Sequence, residues 1–141
     1  LLQASRFIPA SIEVRCDWQA SDSLVLGSVG MVKQILINLI KNARDCMPGG
    51  GRLLVSGGQQ VTHDGRRFVK LSVSDTGPGL DPNLQAQLFQ PVTSGKAGKY
   101  HGLGLNVVHQ LVQKMQGHIR CHSSPAGVCF DILLPCAVQV G

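Results

Sequence analysis

Aromatic residues and charge are both scarce in this sequence: aromatics make up 4% and charged residues 15% of its 141 positions. A core built from it must be mainly aliphatic. Low charge combined with 43% apolar residues excludes a disordered chain. It predicts a folded globule, with residues 1–141 forming one domain long enough to bury a core. No apolar run approaches the ~20 residues that span a bilayer, and no secretory leader is visible. The expectation is a cytoplasmic piece, whose parent protein could still be anchored in a membrane. The longest basic run is Arg66-Arg67, within a net charge of +5. That is no footprint for nucleic acid, although a mild positive field suits a polyphosphate. No C-x-x-C occurs among Cys16, Cys46, Cys121, Cys129 and Cys136. The odd count argues for reduced, mostly buried thiols and against a disulfide frame or a zinc site. Glutamate is nearly missing, with Glu13 the only one. The nucleotide loops G-x-x-x-x-G-K-[ST] and G-x-G-x-x-G are absent as well. The start at Leu1, without Met, suggests a piece of a longer protein.

What is there alternates between strand and helix patterns. Ile12 to Trp18 reads as a strand. Val29 to Met47 reads as a helix, with Val32, Ile35, Leu36, Leu39, Ala43 and Met47 at helical spacing and Pro48-Gly49-Gly50-Gly51 ending it. Arg52 to Gln60 and Arg67 to Asp75 read as strands around a turn at His63-Asp64-Gly65. Residues 76 to 102 are rich in Gly, Pro, Ser and Lys, with one short helical candidate from Asn83 to Phe89. Leu103 to Gln116 is a second amphipathic helix, carrying Leu105, Val108, Leu111, Val112 and Met115 on one side, and Gly117 stops it. His118 to Ser123 and Val128 to Leu134 close the chain as strands. The order predicts a two-layer α/β (α+β) sandwich: a mixed sheet with helices on one face.

Four features carry chemistry. On the first helix, Asn38 and Asn42 stand four apart and share a face, with Gln34 and Asp45 extending the stripe. The stripe either faces water or presents amide oxygens to a hard cation such as Mg²⁺, which brings phosphates with it. Asp75-Thr76-Gly77-Pro78-Gly79-Leu80 puts an acid at a strand end before a glycine turn. It reads as an ordinary turn or as an acceptor for an amino group, such as the exocyclic amine of adenine, with backbone brought close to a flat ligand. Gly102-Leu103-Gly104-Leu105 opens a helix, where backbone N–H groups can approach an anion. Pro91 to His101 is either a loose loop or a lid that orders over phosphates, with Lys96 and Lys99 as point charges.

Together these features resemble the GHKL ATPase superfamily and, within it, the catalytic domain of sensor histidine kinases. Gln34-Ile-Leu-Ile-Asn38-Leu-Ile-Lys-Asn42-Ala43 resembles the N box. Asp75-Thr-Gly77-Pro-Gly79 resembles the G1 box, Leu88-Phe89-Gln90-Pro91 the F box and Gly102-Leu-Gly104-Leu the G2 box. Gly127-Val-Cys-Phe130 with Leu134-Pro135 resembles the closing segment. The boxes stand in the right order and span residues 24 to 135. The resemblance implies the Bergerat fold, with ATP between helices and under a lid. It implies Mg²⁺ on Asn42 with Asn38 assisting, adenine read by Asp75 with Gly77 and Gly79, and phosphate contacts from residues 102 to 105. It extends the ATP contacts to Asp45 and to Thr93, Ser94, Lys96, Lys99 and His101 of the lid, with Lys96 grouped with Asn38 and Asn42 as catalytic.

Branches of the superfamily that hydrolyse ATP place a Glu where Asn38 stands. An amide cannot act as a general base, so the resemblance implies phosphoryl transfer, which needs mostly positioning and charge neutralisation. The implied acceptor is a histidine on a separate dimerisation domain, and the implied downstream partner is a response regulator receiver domain. The isolated domain is expected to be monomeric and to take no nucleic acid. Three positions depart from the pattern: Asp45 where many kinases have Lys or Arg, Val92 after the F-box Pro, and Val128 where a Thr is usual. The departures at Asp45 and Val128 motivate an alternative, a degenerate nucleotide-binding scaffold or sensor without kinase activity. No acceptor motif is present. His63-Asp64 is its only formal start and sits in a turn, while His101, His109, His118 and His122 have no acidic neighbour.

Overall fold

The computed structural model describes residues 9–18, 29–78 and 102–136; for Trp18, Val29 and residues 102–104 it gives backbone alone. Chain order runs β1 (Ile12–Trp18), α1 (Val29–Cys46), β2 (Gly51–His63), β3 (Arg66–Asp75), α2 (Gly102–Lys114), β4 (His118–Ser124) and β5 (Gly127–Pro135). The strands form one sheet in the order β1-β2-β3-β5-β4. β1 runs parallel to β2, and the other three pairings are antiparallel. The sheet is therefore mixed, as expected. The expected helix from Asn83 to Phe89, the F box and the lid lie outside the described residues.

Both helices cover the same face of the sheet. Ile35, Leu39, Ala43 and Met47 of α1 and Leu105, Val108, Val112 and Met115 of α2 belong to one buried cluster with Leu53, Val55, Leu71, Val73, Phe130 and Ile132 of the strands. In β3 and β5 the buried positions alternate, so every second residue turns toward the helices. The core is aliphatic apart from Phe130, which follows from the scarcity of aromatics. Phe68 is buried on the opposite side, in ring contact with His63 and His118 at centroid distances of 6.0 and 5.4 Å.

Three local details refine the sequence reading. β2 continues to His63, three residues past its expected end, because Asp64 and Gly65 alone make the turn, with φ of 51° and 76°. Two positive φ angles give the turn a twist that matches the flanking strands. Gly58 bulges out of the ladder between Gly57 and Gln59, at φ 96°, which only glycine adopts cheaply. α2 ends at Lys114, two residues before its expected end at Gln116: Gln116 takes the left-handed conformation, and the Gly117 N–H reaches back to the Val112 carbonyl at 2.9 Å. Among the described residues no helix is long and apolar enough to cross a membrane.

The cysteines do not follow the expected burial. Only Cys136 is buried; Cys16 is exposed and the other three are half-buried, and none forms a disulfide. Cys16 lies on β1, the edge strand, where a side chain on the helix-facing side has less covering it.

Candidate functional site

The described residues bury two polar side chains, Asn42 and Asp75. Both come from the sequence features singled out above, and Asp75 lies within electrostatic reach of Cys46, at the end of the helix that carries Asn42. α1 presents the first. The Asn42 Nδ2 donates to the Asn38 carbonyl one turn earlier at 3.0 Å. That bond uses the amide nitrogen and leaves Oδ1 as the side chain's acceptor atom. Gln34 Nε2 donates to Asn38 Oδ1 at 3.1 Å, so the stripe is linked. It does not uniformly face water: Gln34 is exposed, Asn38 half-buried and Asn42 buried. Neutral oxygen donors backed by hydrogen bonds fit a hard cation such as Mg²⁺.

The second side chain closes β3. Asp75 Oδ1 accepts from the Gly77 N–H at 2.9 Å and from the Val128 N–H at 3.3 Å. The first donor is local to the turn, and the second comes from β5. Burial raises the Asp75 carboxyl above the ordinary carboxylate value, and the two N–H groups pull it back only in part. The next residue pins the turn to β2. Thr76 Oγ1 accepts from the Arg52 N–H at 3.0 Å and donates to Met47 Sδ at 3.8 Å, and the Thr76 N–H donates to the Arg52 carbonyl at 3.2 Å.

Gly77 brings the turn against the end of α1. A Cβ there would lie 3.1 Å from both Asp75 Oδ1 and the Cys46 carbonyl oxygen. The Cys46 thiol is raised by burial first and then by Asp75 and Asp45. Asp45 is therefore near the acid end of the site, but its carboxylate already accepts from Arg44 Nε at 3.0 Å. The nearest basic residue on α1 is thus paired with the departure at position 45.

Gly102, Leu103 and Gly104 begin α2, so backbone N–H groups at that end are unbonded within the helix; their side chains are outside the description. Leu105 is buried and belongs to the core cluster. Gly79, Thr93, Ser94, Lys96, Lys99 and His101 lie outside the described residues. Two of the described histidines lie beside acids. His63 closes the hairpin 3.4 Å from Asp64 Oδ2, and His122 finds an acid in space, Asp131 Oδ2 at 3.4 Å.

Two contributors escape the sequence reading. Val128 is notable in the sequence for a hydroxyl it lacks, whereas in the fold it supplies a backbone N–H that any residue but proline could give. Gly127, at φ 149°, lets that N–H approach; its place just before the Val-x-Phe run is the only signal. An open cavity of about 320 Å³ borders the same junction from the helix-free side, with Ser74, His122 and Cys129 in its wall. Burial holds the Cys129 thiol up at about 11, which makes it a poor nucleophile.

Comparison with known proteins identifies the family and the fold. Residues 27–138 match the family described as histidine kinase-, DNA gyrase B-, and HSP90-like ATPase. The two-component sensor PprA of Pseudomonas aeruginosa is 36% identical over 90% of the chain, and the sensory histidine kinase/phosphatase NtrB of Escherichia coli O157:H7 is 31% identical over 91%. The chain spans only 14% and 38% of those two proteins. Among solved structures, the mycobacterial sensor histidine kinase MprB superposes with a TM-score of 0.74 at 27% identity, over 96% of this chain and 89% of that one. Full-length ShkA in complex with AMPPNP superposes with a TM-score of 0.75 at 26% identity, over 99% of this chain and 30% of that one.

Proposed function

Because the chain belongs to the histidine kinase-, DNA gyrase B- and HSP90-like ATPase family, we propose that it binds Mg-ATP as the catalytic domain of a sensor histidine kinase and passes the γ-phosphoryl group to a histidine on a separate dimerisation domain. The observation that carries this reading is the pairing of a buried, backbone-held carboxylate at the end of β3 with a buried amide on α1. The relatives with printed functions are sensor kinases, which disfavours a nucleotide-binding scaffold without activity.

Asp75 holds the base. Two N–H groups occupy Oδ1, so Oδ2 accepts from the exocyclic amine of adenine. Guanine carries a carbonyl at that position and would face the carboxylate with an acceptor. Gly77, with Gly79, allows the turn to lie against the ring. At the other end Asn42 Oδ1, with Asn38 beside it, holds Mg²⁺, which neutralises phosphate charge. Phosphate oxygens meet the N-terminal N–H groups of α2 at residues 102 to 105, with Thr93, Ser94, Lys96, Lys99 and His101 closing from the lid. Asp45 reaches the site only as an Arg44-paired carboxylate.

Position 38 carries an amide, and the chain's single glutamate, Glu13, forms an exposed ion pair with Arg52 across β1 and β2 at 3.6 Å. No carboxylate on α1 stands ready to activate water, so bound ATP waits for an acceptor. In this reading the acceptor lies on a dimerisation domain of the same protein, and the downstream partner is a response regulator receiver domain. The domain itself sits in the cytoplasm whether or not its parent is membrane-anchored, and in isolation it is monomeric.

The test is transfer itself. The domain is incubated with γ-labelled ATP, Mg²⁺ and the helical dimerisation domain of its parent. Acid-labile, alkali-stable label on a histidine of that domain is the expected result, with slow phosphate release when it is omitted. ATP binding with no label on the acceptor contradicts the kinase reading.

A further inference from the structure

We propose that Gly127 is a positioning residue of the nucleotide site: the absence of a side chain there lets β5 begin against Asp75, so that the Val128 N–H can fix one carboxylate oxygen and leave the other for the base. The inference rests on the nucleotide-binding reading above and adds a residue to it.

The geometry is restrictive. A Cβ at Gly127 would collide with the Asp75 carbonyl oxygen and lie 3.0 Å from the carbonyl carbon and 3.2 Å from Thr76 Cα. These are backbone atoms, so no flexible side-chain end can swing away. The backbone also stands at φ 149°, a region L side chains rarely adopt. The next residue donates its N–H to Asp75 Oδ1 at 3.3 Å. The other donor, Gly77, is two residues from Asp75 and comes with the turn itself. Val128 is 53 residues away in the chain, and its bond exists only if β5 can approach. Displacing the start of β5 therefore removes the long-range donor and spares the local one.

Losing that donor should also show in the titration of Asp75. The Val128 bond is one of two that lower a carboxyl raised by burial, so its loss moves the Asp75 pKa further up. Among the described residues, the two thiols that interact with Asp75 do not blur this readout. Cys46 of α1 and Cys121 of β4 interact with it electrostatically, and burial raises both thiols, Cys121 to about 11. Both remain neutral through the carboxylate range. Asp45 of α1, beside Cys46, is held in its pair with Arg44.

The experiment measures ADP affinity without metal, across pH, for the unmodified domain, Gly127→Ala and Gly65→Ala. Gly65 also has positive φ but nothing within 4 Å of its missing Cβ, so it reports backbone strain alone. Gly127→Ala is expected to weaken metal-free ADP binding about 10-fold, the size of one hydrogen bond to a charged group. It should also raise the pH at which binding is half lost. Gly65→Ala should lower thermal stability and change neither. Because Gly127→Ala could disturb folding, an ester in place of the 127–128 peptide bond serves as the second variant. It deletes the Val128 N–H and leaves Gly127 intact. The same upward shift in pH is expected. Wild-type affinity and an unmoved midpoint in the ester, or in folded Gly127→Ala, overturn the proposal. No ADP binding by the unmodified domain overturns the nucleotide reading first, and this inference with it.

Discussion

Asn42 and Asp75 are buried to nearly the same degree, 7% and 8% exposed, yet they are built in opposite ways. Asn42 is held by its own helix, through a bond to a carbonyl four residues back. Asp75 is held by the assembled sheet, through a donor on another strand. The first arrangement is complete once α1 forms. The second exists only when β3 and β5 are paired and Gly127 lets them close. A buried neutral amide also costs little to keep, whereas a buried carboxylate opposes its own ionisation. The end of the site proposed to read the base is therefore the end where function is set against stability.

The strongest way to break this contrast is Asp75→Asn. The amide can still accept on one oxygen but meets the adenine amine with an N–H. ADP affinity should fall on the order of 100-fold with or without Mg²⁺, as for loss of a charge-assisted bond; isothermal titration measures it. The same variant has a stability signature. Asp75 has a folded-state pKa raised above its ordinary value, so its contribution to stability is fully present below the unfolded pKa and lost as pH rises through the folded one. Asn cannot ionise. At neutral pH Asp75→Asn should melt higher than wild type, and the gap should close as pH falls toward 3.8, the ordinary value. Melting curves of both proteins between pH 3.5 and pH 8 would check this; a gap that widens toward low pH contradicts it.

Asn42→Ala probes the locally built end. It deletes a side-chain-to-backbone bond inside one helix, so the effect on folding is small, about 1 kcal/mol. Metal-free ADP affinity should stay at the wild-type level, while the gain on adding Mg²⁺ disappears, a loss of about 10-fold. Gln34→Ala gives the smallest effect. Gln34 is exposed and only orients Asn38; Mg-ADP affinity should drop by less than about 3-fold, with stability changed by under about 0.5 kcal/mol. A larger loss at Gln34 than at Asn42 would mean that the stripe, and not its buried member, holds the metal.

The same contrast explains what was legible in the sequence. The amide stripe is readable because a helix converts a spacing of four into one face. Asp75 is readable as an acid placed between a strand and a glycine turn. Most strand and helix bounds follow from apolar periodicity, since β3, β5 and both helices each turn one face to the shared core. What escapes is carried by the backbone or by distant residues. The Val128 N–H has no residue identity, so the missing hydroxyl at that position draws attention while the real donor passes unseen. The left-handed conformation falls on Gln116, while Gly117 stands where a Cβ would meet the Leu133 carbonyl. Cysteine burial fails for a similar reason: exposure of Cys16 depends on which strand lies at the sheet edge, and composition is silent on that.

The account's central claim is that one buried side chain reads the base and the other holds the metal. The most direct test is ADP titration with and without Mg²⁺ on wild type, Asp75→Asn and Asn42→Ala. The account predicts a loss at Asp75 that is independent of metal and a loss at Asn42 that appears only with it. Equal, metal-independent losses in both variants, or no binding by the wild-type domain, would contradict it.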